Sequence, residues 1–393
     1  MAKKEENKEA VIAQRIDSAV SSLKNKDFNL FFFIVDSKNV PNGSMNYTYH
    51  MAKTLKDKGY NVTMLYQLDN EYTPGELAEI EQKGSIPDDM KRFVGVDGWL
   101  GEEYASIPHI NIRKEEWKVG PSDFLFIPEV FSSFMYETFK NHIPCKRYAI
   151  LQNFGYVTEF IPPRHEWLTY GIDHVITNTK ANAELINSVF PYTKEHTTIL
   201  PPYIEGYFRK PVKAKKLIVN IVAKNKDDIN RIVKPFYWKY PVYQFVSFED
   251  LRGLPEKEFA ERLKDGSITV WLDETSPFGY SAIESIRCGN IVIGKIPQDI
   301  PDWMTDNNGV WFSNINDVPE ILSKVVGTLL SDEVPEEMDK AMDETAKLYS
   351  FEEYSKNIDA FMECAINERI DELMEFKKEI QENKNNETEK TEE

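Results

Sequence analysis

A carboxylate one turn inside a helix that starts on glycine is the pattern in this chain most suited to chemistry. It lies in Trp271–Pro297, WLDETSPFGYSAIESIRCGNIVIGKIP. Ile268–Leu272 is a short apolar, β-branched run and predicts a strand. Pro277 and Gly279 turn the chain. Tyr280–Arg287 has helical spacing, with Ala282, Ile283 and Ile286 on one side, and Gly289 sits where a helix C-cap wants it. Ile291–Ile293 predicts the next buried strand. A helix start just beyond a strand end presents backbone N–H groups and the positive end of the helix dipole, and both attract anions, phosphate above all. Glu284 stands one turn inside that helix.

Three other places could carry chemistry. Phe28–Val35 (FNLFFFIV) predicts a buried strand, a helix is expected over about Tyr47–Lys58, and Asn61–Tyr66 predicts the next strand. The loop between the first two holds Asn42-Gly43-Ser44 and brings backbone close to the helix start, though it is not the GxGxxG of a dinucleotide site. Gln152 follows the predicted strand Arg147–Leu151. Lys224 and Lys226, with Arg231 behind them, follow the predicted strand Leu217–Val222 in a polar, basic segment. The six histidines are dispersed, no Ser-His-Asp or Cys-His arrangement argues for hydrolysis, and no Asp-x-Asp stands at a strand end. The expected site residues thus need neither a metal nor a cofactor.

The elements that position these residues alternate between strand and helix. Asp123–Ile127, Arg147–Leu151, His174–Thr177 and Thr197–Leu200 predict strands, with helices over Ser132–Lys140 and Lys180–Val189. Such alternation predicts a parallel sheet covered on both faces. Prolines and charge fill Pro201–Lys216, and a second alternation begins at Leu217. Glu71–Lys118 reads as polar and irregular. Lys224–Lys234 reads as a polar, basic segment, Tyr240–Val246 (YPVYQFV) as an apolar run after it, Glu256–Leu263 and Val318–Leu330 as helices. Tyr349 to about Ile380 predicts a long amphipathic helix.

At 393 residues the chain is long enough for two cores of ordinary size. A net charge of -18 repels nucleic acid and anionic lipid except at a local patch. Three cysteines without disulfide or zinc spacing suit a reducing compartment. No apolar run reaches transmembrane length and no signal peptide is recognised. The expected location is the cytoplasm, with a peripheral visit to a membrane left open. The amphipathic start, with Ile12, Ile16, Ala19 and Leu23 at helical spacing, suits a packing helix or a homodimer contact.

At Ser276–Gly289 (SPFGYSAIESIRCG) the sequence resembles the retaining glycosyltransferase family four. That family's pattern reads Glu-Gly-Phe-Gly, four further residues, then Glu, ending on a small residue and Cys-Gly. Phe278, Gly279, Glu284, Cys288 and Gly289 fall on matching positions. HVITNTKANAELI, LPPYIEGYF and YSFEEYSKNIDAFM look like the family's last N-terminal strand and helix, its entry to the linker and its closing helix. The resemblance covers roughly residues 28 to 365. It implies an α/β GT-B fold: two Rossmann-like domains with parallel sheets facing a central cleft, and a C-terminal helix that returns to the first domain. The implied division is a helical extension at 1–26, an acceptor domain at 27–205, a linker at 206–216, a nucleotide-sugar domain at 217–345, the returning helix at 346–380 and a disordered acidic tail at 381–393.

The resemblance also implies roles. Gly279 would lie at the donor's diphosphate and Glu284 would accept hydrogen bonds from ribose hydroxyls, as a carboxylate does well. Pro277, Phe278 and Tyr280 would complete the donor loop, with Gly43 and Ser44 opposite. Lys224 and Lys226 stand where the family holds the diphosphate with an Arg and a Lys. Gln152 takes the place of a His near the donor sugar, and Ser276 that of a sugar-contacting Glu, with Glu274 two residues early. The nucleobase would rest in Ser247–Leu254, with Phe248 as the aromatic. The implied activity is metal-independent transfer, with retention, of a hexosyl or deoxyhexosyl group from a nucleotide-sugar to a glycan or lipid-linked acceptor. Two rivals stand beside it: an enzyme of phage type that glycosylates modified DNA bases, and a degenerate GT-B module that only binds.

Overall fold

Asn29–Phe33 reads NLFFF. A run without polar alternation belongs in a strand covered on both faces. In the computed structural model, which describes residues 2–68, 74–84, 93, 95–273, 278–297 and 300–392, it is the strand β1 (Asn29–Phe33). Its side chains alternate between two cores: Leu30 and Phe32 enter one, Phe31 and Phe33 the other. Phe32 stacks on Phe126 at 4.6 Å between centroids, and Phe33 on Phe134 at 3.9 Å. Burying each such ring contributes about 2–3 kcal/mol.

β1 is joined by β2 (Asn61–Tyr66), β3 (His109–Asn111), β4 (Phe124–Pro128), β5 (Lys146–Leu151), β6 (His174–Thr177) and β7 (Thr197–Ile199). All pair in parallel, in the order β3-β2-β1-β4-β5-β6-β7. A second parallel sheet contains β8 (Ile218–Val222), β9 (Ser247–Asp250), β10 (Ile268–Trp271), β11 (Ile291–Lys295) and β12 (Val310–Phe312), in the order β12-β11-β10-β8-β9. It too carries a core on each face. The two-sheet α/β architecture expected from the sequence is the one observed.

Strand order fixes where a ligand can sit. In an open parallel sheet, binding crevices form beyond the carboxyl ends of the strands where the winding reverses. In the first sheet the reversal lies between β1 and β4, and in the second between β8 and β10. The segments leaving those four strands bring Asn42 and the helix start at Gly43, Glu129, Lys224, and Phe278-Gly279 before Tyr280 to these two points.

The helix Phe351–Glu392 packs back on the first sheet. Tyr354, Ile358, Phe361, Met362 and Ala365 share a core with Ile16, Ala19, Val20 and Leu23 of the helix Ala2–Lys24. Both sets have helical spacing. Lys146 Nζ meets Glu372 at 2.5 Å, and Arg369 donates to the carbonyls of Pro121 and Pro144, both at 2.9 Å.

Several elements depart from expectation. The helix after β1 begins at Gly43, because the Asn42 side chain accepts the N–H groups of Ser44 (3.0 Å) and Met45 (3.2 Å). Gly43 and Ser44 are therefore helical, not loop. Lys226–Lys239 is a helix, capped by Asn225, whose Ile232 and Phe236 are buried and whose Ile229 and Val233 pack beside them. The apolar run after it turns at Pro241–Tyr243, and the strand starts only at Ser247. His109–Asn111, inside the stretch read as irregular, is an edge strand. The closing helix runs on to Glu392, through the stretch expected to be a disordered tail, where no glycine or proline interrupts it.

Candidate functional site

A cleft opens where the two reversal points face each other. Its larger lobe, about 470 Å³, is lined by Asn42, Gly43, Asn46 and Trp99 from the first half. From the second half it is lined by Val222–Lys224, Leu251–Leu254, Glu256, Phe259, Asp273, Tyr280, Ser281 and Glu284. A second lobe of about 370 Å³ shares Asn42, Gly43, Lys224, Asp273 and Tyr280 and extends to Ser44, Gln152, Asn153, Tyr156, Asn178 and Phe278.

Gly279 starts the wall on the second side. Its φ of 75° and ψ of 51° are left-handed, and it precedes the helix Tyr280–Arg287 without a side-chain cap. The first-turn N–H groups of such a helix have no intrahelical partners, and Tyr280 and Ser281 lie on the cavity wall. A Cβ on Gly279 would meet Trp271 Cζ2 at 2.9 Å and Trp303 Cζ2 at 3.1 Å. Trp303 Nε1 donates to the Phe278 carbonyl at 2.6 Å, and Phe278 packs edge-on against Tyr280 and Tyr349. The turn is thus held by aromatic packing.

Glu284 is 7% exposed on the next turn of that helix. Burial pushes its carboxyl well above the usual carboxylate range, and the Glu256 carboxyl adds to this. Glu256 begins the helix Glu256–Asp265. Its carboxyl is pushed up to about 7, first by burial, with the Tyr207 phenol opposing and Glu205 assisting. Both carboxyls line one cavity, and burial pushes each of them toward its protonated form.

A carboxyl raised in this way costs the fold nothing while protonated. Its burial weakens the fold as pH rises from the ordinary value, 4.5, through about 7. Glu256→Gln is expected to match the parent at pH 4.5 and to exceed it by about 2 kcal/mol at pH 8. Urea midpoints at the two pH values check this, and a pH-independent difference would contradict it.

Lys224 follows β8 and pairs with Asp273, which follows β10, at 3.0 Å, across the reversal point. It lines both lobes. Lys226 does not line either; it occupies the first turn of its helix. Arg231 lies near Asp228 and Asn316. Phe248 is not at the cavity: it packs edge-on against Phe236 (5.4 Å) and Tyr237 (5.5 Å), and of the expected Ser247–Leu254 segment it is Leu251–Leu254 that line the cavity. Ser276, Pro277 and Glu274 lie outside the described residues.

Across the cleft, Gly43 would place a Cβ 3.9 Å from Tyr280 Cδ2. Gln152 is 7% exposed and donates from Nε2 to Ser44 Oγ (2.9 Å) and the Ser44 carbonyl (3.2 Å). It therefore ties the end of β5 to the start of the helix Gly43–Asp57. Glu129, buried and pushed up to about 7 by desolvation, accepts the N–H groups of Gln152 (3.1 Å) and Asn153 (2.9 Å). Sequence reading missed Glu256, Asp273 and Glu129. Asp273 and Glu129 each follow a predicted strand end, a signal that was available; Glu256 had only its place at a helix start.

No family model matches the chain, and no curated protein does. Solved structures do. The chain is similar to sucrose-phosphate synthase from Thermosynechococcus elongatus (12% identity, 86% of this chain and 99% of that one, TM-score 0.54). It is similar to HepE from Anabaena in complex with UDP (11%, 86% and 99%, 0.55). It is also similar to the pneumococcal O-GlcNAc transferase GtfA in complex with UDP and GlcNAc (8%, 87% and 99%, 0.57). The fold is GT-B. At these identities the likeness is one of architecture. Glu284, Lys224, Gly43 and Gln152 line the two lobes of this cleft, Gly279 sits between the lining residues Phe278 and Tyr280, and Lys226 is not among the lining residues.

Proposed function

We propose that this protein is a glycosyltransferase that moves a sugar from a nucleotide-sugar donor to an acceptor hydroxyl. The observation that carries the reading is the convergence of a helix start, Lys224 and buried Glu284 on one cavity wall, opposite Gly43 of the other half. The donor's diphosphate would meet the N–H groups at Tyr280–Ser281 and the Lys224 ammonium. Such fixed donors stabilise the charge that grows on a departing diphosphate. Glu284 would take the ribose hydroxyls, and Leu251–Leu254 with Phe259 would flank the base. HepE and GtfA, two similar folds, hold UDP in their described complexes, which supports a nucleoside diphosphate here.

For the transfer, the bond from the anomeric carbon to the phosphate oxygen breaks. A bond from that carbon to the acceptor oxygen forms on the same face, so configuration is retained. The acceptor's proton passes to the departing phosphate oxygen, and a nucleoside diphosphate leaves. The helix start and Lys224 supply the charge compensation in this reading, and activity is expected to persist in a chelator. The acceptor is a glycan or a lipid-linked glycan.

The test is a thermal-shift panel of nucleoside diphosphates, with hydrolysis of the matching sugar nucleotides. A ligand at a hundred times its Kd stabilises by about 2.7 kcal/mol. Lys224→Ala is expected to weaken the responding nucleotide roughly tenfold, the size of one charge-assisted contact already shared with Asp273. If no nucleotide raises the melting temperature and no sugar nucleotide is hydrolysed, the proposal falls.

A further inference from the structure

Two aromatic rings leave the smaller lobe of the cleft along one short helix. Phe154–Phe160 begins on Asn153, whose side chain accepts the Gly155 N–H at 2.9 Å. Val157 turns inward and is 3% exposed. Tyr156 and Phe160, four residues apart and so on one face, are each 41% exposed, with ring centroids 6.1 Å apart. Tyr156 lines the lobe. The helix is fixed at its far end, where Ser132 Oγ donates to the Phe160 carbonyl at 2.6 Å.

The lobe behind Tyr156 is lined by amides, Asn42, Gln152, Asn153 and Asn178, with Lys224 paired to Asp273. An amide both donates and accepts, as does a hydroxyl. A phosphate-rich acceptor would ask instead for clustered cations, and Lys224 is the one cation among the described residues lining this lobe. An aromatic face is the negative side of a quadrupole, and it complements the C–H faces of a pyranose, which carry partial positive charge.

We infer that Tyr156 and Phe160 form a stacking platform for a neutral saccharide, so that the acceptor is an uncharged glycan lying across this helix with one hydroxyl in the amide-lined lobe. The word acceptor rests on the glycosyltransferase reading; the saccharide site can be tested without it. Because the helix is tied at both ends, the rings are held in place before the ligand arrives, which limits the entropy lost on binding.

The experiment is ligand-observed saturation-transfer NMR with maltose, cellobiose and lactose as probes, alongside methyl and octyl glucosides. Full-length parent protein, Tyr156→Trp, Tyr156→Leu and Phe160→Leu are compared, each checked for an unchanged melting temperature. At least one disaccharide is expected to bind the parent and Tyr156→Trp, with transfer concentrated on ring C–H protons, and to bind each leucine variant at least tenfold more weakly. The nucleoside-diphosphate thermal shift is expected to be the same in all four. Leucine keeps the apolar surface and removes the aromatic face. If the leucine variants bind disaccharides as the parent does, or none of the three disaccharides binds the parent, the inference is overturned. It is also overturned if octyl glucoside alone binds and the leucine variants retain it, which would mark an apolar tail site. Saccharide binding through Tyr156 without any nucleotide response would instead remove the glycosyltransferase reading and leave the saccharide site standing.

Discussion

Glu284→Gln is expected to weaken nucleoside-diphosphate binding about tenfold to a hundredfold while leaving the free protein no less stable. The first half follows from the hydrogen bonds proposed to ribose: two hydroxyl–carboxyl hydrogen bonds of about 0.5–1.5 kcal/mol each are disturbed when an amide, with one acceptor oxygen, takes the carboxyl's place. The second half follows from burial. Glu284 is held well above its ordinary pKa by desolvation and by Glu256, and no hydrogen bond to its side chain is found among the described residues. A neutral amide of the same shape relieves that cost. Folded-state elevation means stability is greatest at low pH and falls as pH rises, so the gain from Glu284→Gln should grow with pH. Calorimetric titration of the responding nucleotide, with urea midpoints at pH 4.5 and pH 8, reads both halves. Undiminished affinity would mean that the carboxylate faces something other than the nucleotide.

The pairing with Glu256 adds a second readout. An anionic diphosphate enters most easily while these two carboxyls are protonated. In the parent, affinity should fall above about pH 7, the value of the Glu256 carboxyl, and Glu256→Gln should flatten that fall. Because Glu256 lines the lobe while Lys226 does not, the acid–acid pair in the cleft is better supported by the fold than the second lysine that the sequence suggested.

Much of the fold was legible because it rests on local patterns. NLFFF ends on four apolar residues in a row and NVTMLY is apolar at Val62, Met64, Leu65 and Tyr66, and a parallel sheet covered on both faces is the economical use for them. Gly279 and Glu284 were legible because a strand, a turn glycine and a helix follow each other within a few residues. Lys226–Lys239 was not, because its first turn is charged and hydrophilic, so Ile229, Ile232 and Phe236 are spread among polar residues and Pro235 argues against a helix. Pro235 is tolerated there with Ile232 and Phe236 anchored in the core. Phe248 was misplaced for another reason. Period-2 alternation tells that successive side chains leave opposite faces, but not which face looks toward the cleft, and Phe236 claims the ring for the core. Glu256 was invisible because its neighbours Glu284 and Tyr207 come from other elements.

Gly279→Ala is expected to be the most damaging small substitution in the cleft, costing on the order of 2–5 kcal/mol. Two effects add. A left-handed backbone at φ 75° costs a residue with Cβ about 1–2 kcal/mol. The new methyl would also lie 2.9 Å from Trp271 and 3.1 Å from Trp303, and neither ring can step aside. Trp271 is fully buried at the end of β10, and Trp303 is 2% exposed with its Nε1 committed to the Phe278 carbonyl. Overpacking of this kind costs about 1–3 kcal/mol. Relief has to come from the turn, so Phe278 and the first turn of the helix Tyr280–Arg287 must shift together, and the N–H groups proposed for the diphosphate lose their aim. The variant should therefore melt earlier and also fail to bind nucleotide below its melting temperature. Gly43→Ala is the control: at 3.9 Å from Tyr280 its Cβ makes only ordinary contact, and alanine suits a helix start that Asn42 already caps. Differential scanning calorimetry of the two variants, with nucleotide titrated well below the transition, separates the outcomes. A Gly279→Ala protein that melts with the parent and binds as tightly would show that neither the turn nor the ligand requires the glycine.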